Sequence, residues 1–315
     1  MASSPNDNLP ATFRPGDEAV RDGALRNRAI RLQPGDEAFR EKGHNMRMRK
    51  VWVGATVVAV TVGVLAMAAI GVDYGTSIYA EYRLSTNVRK AANLEADPFI
   101  AILAFPFIPQ AMREHYNELE IKANAVEHAA VGKATLEATM HSVDLTDASW
   151  LIRPDAKLPV GKLESRIIID SVHLGRYLGI SDLMVEAPQQ ESNDATGGTT
   201  ESGISGSHGL VFSGTPKAAH FDHRVSVSVD LSVAPEDKTT LIMTPTGVLT
   251  GPNTADQTVP DDKLDAVLRA FSSRLPDQNL PFGVAPNTVG ARGSDVIMEG
   301  ITRNVTVTLD GFKQS

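Results

Sequence analysis

Residues Val51–Val72 read VWVGATVVAVTVGVLAMAAIGV, 22 positions without a charge. As an α-helix this run spans roughly 33 Å, the thickness of a bilayer's hydrocarbon core. Lipid offers no partner to backbone N–H and C=O groups, so a helix is the conformation open to it there. Arg47, Arg49 and Lys50 stand immediately before the run, and the first charge after it is Asp73. That excess of cations assigns the amino side to the cytoplasm and everything after Asp73 to the outside. A cleaved signal peptide competes with this reading, because Ala66-Met67-Ala68 resembles a small-residue cleavage site. The run is longer than the about 7–15 residues of a signal core, and about fifty residues precede it. A single uncleaved anchor is the expectation.

Beyond Asp73, 242 residues remain, enough for one large domain or two small ones. Residues 1–50 carry ten Lys or Arg against seven Asp or Glu, so the rest of the chain holds 20 against 31. An outer domain with net charge −11 argues against nucleic acid as a partner. The chain has no cysteine, which excludes disulfides, thiolate metal sites and a cysteine nucleophile. Its outer domain must therefore be held by an apolar core, and with few aromatic residues that core is mainly Val, Ile, Leu, Ala and Met.

The segment 1–50 is rich in charge, Pro, Gly and Asn and reads as a disordered cytoplasmic arm. Within it Pro15-Gly16-Asp17-Glu18-Ala19-Val20-Arg21 recurs nineteen positions later as Pro34-Gly35-Asp36-Glu37-Ala38-Phe39-Arg40. Two copies of this PGDEA motif suit a bivalent contact with a cytoplasmic partner, or else a duplicated turn and short helix with none.

From Thr76 to Ala96 the spacing of Ala80, Leu84, Val88 and Ala91 predicts a helix, ended by Asp97-Pro98. Phe99–Pro109 follows, apolar on both faces, with three of the chain's ten Phe and a break expected at Pro106. Leu119, Ile121, Ala123 and Ala125 then alternate with Glu118, Glu120, Lys122 and Asn124, and Ala134, Leu136, Ala138 and Met140 alternate with Lys133, Thr135, Glu137 and Thr139. These are strands with one wet face. Residues 162–170 continue the pattern, a short helix is expected over Val172–Gly179, and another strand at Leu183–Ala187. Pro188–Gly209 is almost devoid of apolar residues and reads as a mobile polar loop inserted into one continuing sheet. Afterwards Val225, Val227, Val229, Leu231 and Val233 alternate with polar residues. A strand at Thr239–Leu249 and a helix at Pro260–Leu275 follow, the latter with Leu264, Val267, Leu268 and Phe271 on one face and Asp261 or Asp262 at its amino end. Strands near Gly283–Val289, Val296–Ile301 and Asn304–Leu309 close the chain.

Nine or ten strands with two substantial helices define an α+β fold: a long curved antiparallel sheet wrapped around one or two helices, preceded by the membrane helix. Such wrapping leaves either an elongated apolar cavity suited to an acyl chain or two sheets packed over a filled interior. The succession of the amphipathic helix, Asp97-Pro98-Phe99, Ala104-Phe105-Pro106-Phe107-Ile108-Pro109-Gln110, the Leu119–Ala125 strand, and Leu280-Pro281-Phe282-Gly283-Val284 with Gly300 and Val305–Leu309 resembles the actinobacterial LmeA-type phospholipid-binding family over roughly residues 76–312. The resemblance implies an envelope location, a fold like the tubular lipid-binding proteins of the bactericidal permeability-increasing type, and a phospholipid in an apolar groove. It also implies a link to lipomannan elongation. The cytoplasmic arm, the anchor and the 188–209 insertion depart from the family pattern.

The expected groove lining is Phe99, Phe105 and Phe107; Leu119, Ile121, Leu136 and Met140 on the early strands; Val225, Val227 and Val229 on the later one; and Leu264, Leu268 and Phe271 on the helix. Arg113, Lys122 and Arg166 are the candidate headgroup cations. His220-Phe221-Asp222-His223 does not read as a metal site, because on a strand leading into Val225 its two histidines face opposite ways. No Gly-x-Ser-x-Gly, phosphate loop or dinucleotide fingerprint is present, so no catalytic residue and no cofactor beyond a bound lipid is assigned. The expected function is a membrane-anchored envelope protein that holds or transfers a phospholipid or glycolipid in support of lipoglycan or envelope biogenesis. The alternative is a non-enzymatic scaffold docking an envelope glycosyltransferase.

Overall fold

The structure, a computed structural model, describes residues 37–187 and 204–313. The first copy of the repeated motif lies outside the described residues, as does 188–203 of the polar insertion. In chain order the elements are α1 (Glu37–Ala92), β1 (Phe99–Leu103), α2 (Phe107–Met112), β2 (His115–His128), β3 (Gly132–Asp144), β4 (Lys157–Ile169), α3 (Ser171–Leu178), β5 (Met184–Glu186), β6 (Leu210–Gly214), β7 (Val225–Val233), β8 (Leu241–Leu249), α4 (Asp261–Phe271), β9 (Ser273–Leu275), β10 (Thr288–Arg292) and β11 (Asp295–Thr308). The chain divides into two compact units, one ending at Gly63 and one beginning at Val64.

The helix α1 runs unbroken through that boundary. The anchor and the amphipathic helix expected after it are thus one element, because each added residue gains a hydrogen bond without a new nucleation step. The same reasoning extends it back to Glu37, into the segment whose composition reads as disordered. Its stretch from Arg49 is long and apolar enough to cross a membrane. It ends at Ala92, four residues before the expected stop. Asn93 takes a left-handed φ of 54°, and Leu94 N–H donates to the Arg89 carbonyl at 2.9 Å, which satisfies the last turn. Ala80, Leu84, Val88 and Ala92 form the buried stripe of the helix, while Val51–Val72 is exposed.

The fold is α+β with antiparallel sheets, and its strands divide into two ladders rather than one. The first has the order β1-β2-β3-β4-β11-β10, the second β5-β6-β7-β8-β9. Their apolar faces, the α1 stripe, and Val267 and Phe271 of α4 share one core. The polar insertion leaves from β5 and returns in β6, which pair with Met184 opposite Ser213, so it is an excursion within one sheet. Its tail is docked. Ser205 N–H donates to the Ala291 carbonyl at the edge of the first sheet, and Leu231 N–H of the second donates to the Ser207 carbonyl at 2.7 Å. Residues 204–207 therefore strap one sheet to the other, and Ile204 is buried against Ile168 and Ile297.

Local signals account for most other elements. Asp170 accepts from His173 N–H at the start of α3, and Gly179 closes the helix at φ 73°. The C-terminal strand segments join into one 14-residue strand, β11, paired to β4 from Val296↔Ile169 to Thr308↔Lys157. Three local expectations are corrected. The helix α4 stops at Phe271, because Ser273–Leu275 pairs with β8. Asp261 and Asp262 lie in its first turn without capping it. Residues 281–283 form a tight turn with Phe282 in the left-handed region at φ 62°, and the strand expected there begins at Thr288.

Candidate functional site

The corner between β1 and α2 is assembled around α1. Asp73, Ser77 and Glu81 recur every fourth residue, so they face the same way along the helix. The Asp73 carboxylate accepts the Phe107 and Ile108 N–H groups, both at 2.8 Å. Pro106 offers no side-chain cap, so this carboxylate supplies the N-terminal cap of α2 from 34 residues away. Glu81 Oε1 accepts the Ile102 N–H at 2.9 Å, the outward donor of edge strand β1. Gln110 holds the turn itself: its amide donates to the Ala104 and Pro106 carbonyls and its oxygen accepts the Asn117 N–H at 3.0 Å. Behind the corner Phe107 packs on Tyr116 and Trp150, with ring centroids at 5.7 and 6.2 Å. Burial pushes the Tyr116 hydroxyl well above the ordinary tyrosine range, so it stays protonated and donates to the Trp150 carbonyl at 2.6 Å.

Between α1 and this corner lies a groove of about 380 Å³, lined by Asp73, Tyr74, Ser77, Ile78 and Glu81 on one side and by Ile102–Phe105 and Phe107 on the other. Its volume is in the range of small-molecule sites. Tyr74 and Phe105 stack at 6.0 Å, and both rings are largely exposed, as is Ile78, while Leu103 is partly exposed. The two carboxylates at its base are engaged by backbone donors. Hydrocarbon at the rim suits an apolar chain, and the two acidic side chains disfavour an anionic headgroup.

A second cavity of about 590 Å³ sits at the other end of the buried stripe. It lies between the end of α1 with its following turn (Ala92–Asp97) and the β2 bulge (Ala123–Glu127), with Lys133 and Lys313. From Asp73 to Ala92 is about 28 Å along the helix. A third, of about 500 Å³, lies under the strap, against Leu231–Val233 and Pro286–Val289.

Of the residues expected to line a groove, Phe105 and Phe107 line the one at the β1–α2 corner. Phe99 is exposed at the start of β1. Leu119, Ile121, Leu136 and Met140 are fully buried on the first sheet, as are Val225, Val227 and Val229 on the second and Phe271 on α4, all in one core. Leu264 and Leu268 are partly buried at its border. Lys122 pairs with Glu137 at 2.6 Å, and Arg166 pairs with Glu299 at 2.6 Å and Glu164 at 2.5 Å, so these two cations are engaged by carboxylates; Arg113 is exposed. His220–His223 precedes β7 instead of lying in a strand, with His220 at φ 53°. Sequence reasoning passed over Tyr74, Ile78 and Leu103. The available signal was the apolar pair Tyr74 and Ile78 at i, i+4, flanking the buried stripe of the helix.

In comparisons with known proteins, residues 71–301 match the family described as LmeA-like phospholipid-binding. No curated protein and no solved structure gives a match.

Proposed function

This chain belongs to the LmeA-like phospholipid-binding family, and from that premise we propose that it seats an acyl chain of a phospholipid or related glycolipid in the groove between α1 and the β1–α2 corner. Val51–Val72 anchors it in the plasma membrane, with Arg47, Arg49 and Lys50 on the cytoplasmic side and the sheets outside. The protein holds or passes on the lipid within the cell envelope, in support of lipoglycan or envelope assembly, and no catalytic step is assigned to it. The observation that carries this reading is the pairing of an aliphatic and aromatic rim with carboxylates already satisfied by backbone N–H groups. Each methylene moved from water into such a groove contributes about 0.8 kcal/mol, so a partly seated chain is held without specific polar contacts.

The test is native mass spectrometry of the full-length protein released from detergent micelles, with extraction and identification of the retained lipid. Wild type is expected to keep about one phospholipid per chain. Ile78→Asp with Leu103→Asp, both at exposed positions that leave the core untouched, is expected to lose it while the anchor remains. Equal retention by the two proteins would remove the groove from consideration.

A further inference from the structure

Around the β1–α2 corner large apolar side chains are exposed, both along the groove rim and at Met112, the last residue of α2. Met112 is 80% exposed, Phe105 62% and Tyr74 59%, with Ile78 and Leu103 beside them. Such a patch on a domain facing water is unfavourable unless something covers it. The patch is also continuous with the outer surface of α1, where Leu65, Met67, Ile70 and Val72 are exposed immediately before it. Asp73 ends that apolar surface, is itself only 6% exposed, and ties the helix to the first turn of α2 through two hydrogen bonds. The corner is therefore fixed at the height of the first turns after the apolar run rather than free to swing away on a linker. From Val72 to Ile78 the helix rises about 9 Å, so its first turn past the run lies within the headgroup layer, about 5–7.5 Å thick on one side of a bilayer, and Ile78 lies at the layer's outer edge. Tyr74, one turn or less past the apolar run, is of the residue type that settles at that depth.

We propose that the β1–α2 corner, with Leu103, Phe105 and Met112, is immersed in the interfacial layer of the same bilayer that α1 crosses, so that the domain rests on the lipid surface. The inference rests on the reading of α1 as a membrane span. It has a direct consequence for the groove, whose rim residues Tyr74, Ile78, Leu103 and Phe105 belong to the immersed patch. The groove opens into the leaflet, and a lipid slides into it without crossing water. Asp73 sets the geometry by holding helix and corner in register.

The chain has no cysteine, so single cysteines report without background. Phe105→Cys and Met112→Cys, with Leu65→Cys and Val172→Cys as references, are labelled with an environment-sensitive fluorophore in the full-length protein in phosphatidylglycerol vesicles. Quenching by doxyl-labelled lipids is compared with quenching by iodide from the water phase. The proposal expects labels at 105 and 112 to be quenched by lipid several-fold more than the label at 172, which sits on the exposed side of α3, and to be shielded from iodide. Met112 is so exposed that its replacement leaves packing unchanged, and it decides the matter if Phe105→Cys disturbs the stacked pair. Labels at 105 and 112 as open to iodide as the one at 172, with 65 quenched by lipid, would overturn the docking and leave the span standing. Labels at 105 and 112 shielded from both quenchers would mean that a protein surface covers the patch, and would overturn it equally. A label at 65 unquenched by lipid would remove the span and the docking together.

Discussion

Replacing Asp73 with alanine tests the joint on which the site depends. Its carboxylate accepts two backbone N–H groups at 2.8 Å, at the start of a helix of six residues whose own N-cap, Pro106, supplies no side-chain bond. Loss of an ordinary cap costs about 0.5–2 kcal/mol. Each hydrogen bond to a charged acceptor is worth about 1.5–3 kcal/mol, so two lost together suggest about 3–6 kcal/mol. Relief of the desolvated carboxylate offsets part of that, leaving about 3 kcal/mol as the expected loss for Asp73→Ala. Asp73→Asn keeps one acceptor oxygen and should lose about half as much. The reporter is built in. Trp150 packs against Phe107 at the far side of the same corner, and Trp52 is the chain's other tryptophan. In a Trp52→Phe background, urea unfolding of the full-length protein in detergent micelles, followed by Trp150 emission, should show the Asp73→Ala midpoint about 1 M or more below the parent. A shift worth less than about 0.5 kcal/mol, the size of an unremarkable surface change, would refute the assignment of Asp73 as the cap. So would identical values for the alanine and asparagine variants.

Three further outcomes follow from other parts of the fold. Arg166→Met leaves Glu299, which is 2% exposed, without its partner at 2.6 Å, and should cost about 3–5 kcal/mol in the same unfolding assay. Adding Glu299→Gln should recover part of that loss, and no recovery would refute the pairing. A Cβ on Gly290 would lie 2.2 Å from the Ser205 carbonyl oxygen and 2.7 Å from Ile204 Cγ2. Gly290→Val should therefore displace the strap, lower stability by about 1–3 kcal/mol and speed proteolytic cleavage within residues 204–209. Burial holds His128 below the ordinary histidine range, against the opposing influence of the Gln278 amide and nearby Asp277. The unfolded chain thus takes up this proton first as pH falls. Stability from this residue is complete above about pH 6.5 and declines below it. His128→Asn should flatten the acid side of a plot of unfolding midpoint against pH, and an unchanged slope would assign the dependence elsewhere.

What could be read from the residues alone was whatever depends on near neighbours in the chain. An uncharged run of 22 residues can be recognised without knowing its surroundings. The stripe Ala80, Leu84, Val88 needs only the helical period, and the dry faces of β2 and β3 need only a period of two, whereas Glu137 and Thr139, on the expected wet face of β3, are buried. The close of α3 at Gly179 is equally local. Phe105 and Phe107 drew notice because the stretch around them is rich in phenylalanine and proline, and both line the corner groove. The flank of that stripe, with Tyr74 and Ile78, was legible in the same period and was outweighed by the buried residues.

Tertiary structure alone decided which strands share a ladder and where space remains. Alternation shows which side of a strand is apolar but not its neighbour, and β4 finds its partner in β11, with Arg166 meeting Glu299 across 133 positions. Two sheets rather than one, the docking of Ile204 and Ser205 from an otherwise polar stretch, and the cap that Asp73 gives to α2 all rest on partners far apart in sequence. Hydrophobic burial is non-directional, so a pattern of apolar residues selects the core but not its arrangement. Hydrogen bonds and close packing are directional and short-ranged, and they complete that choice only once the chain has brought the partners together.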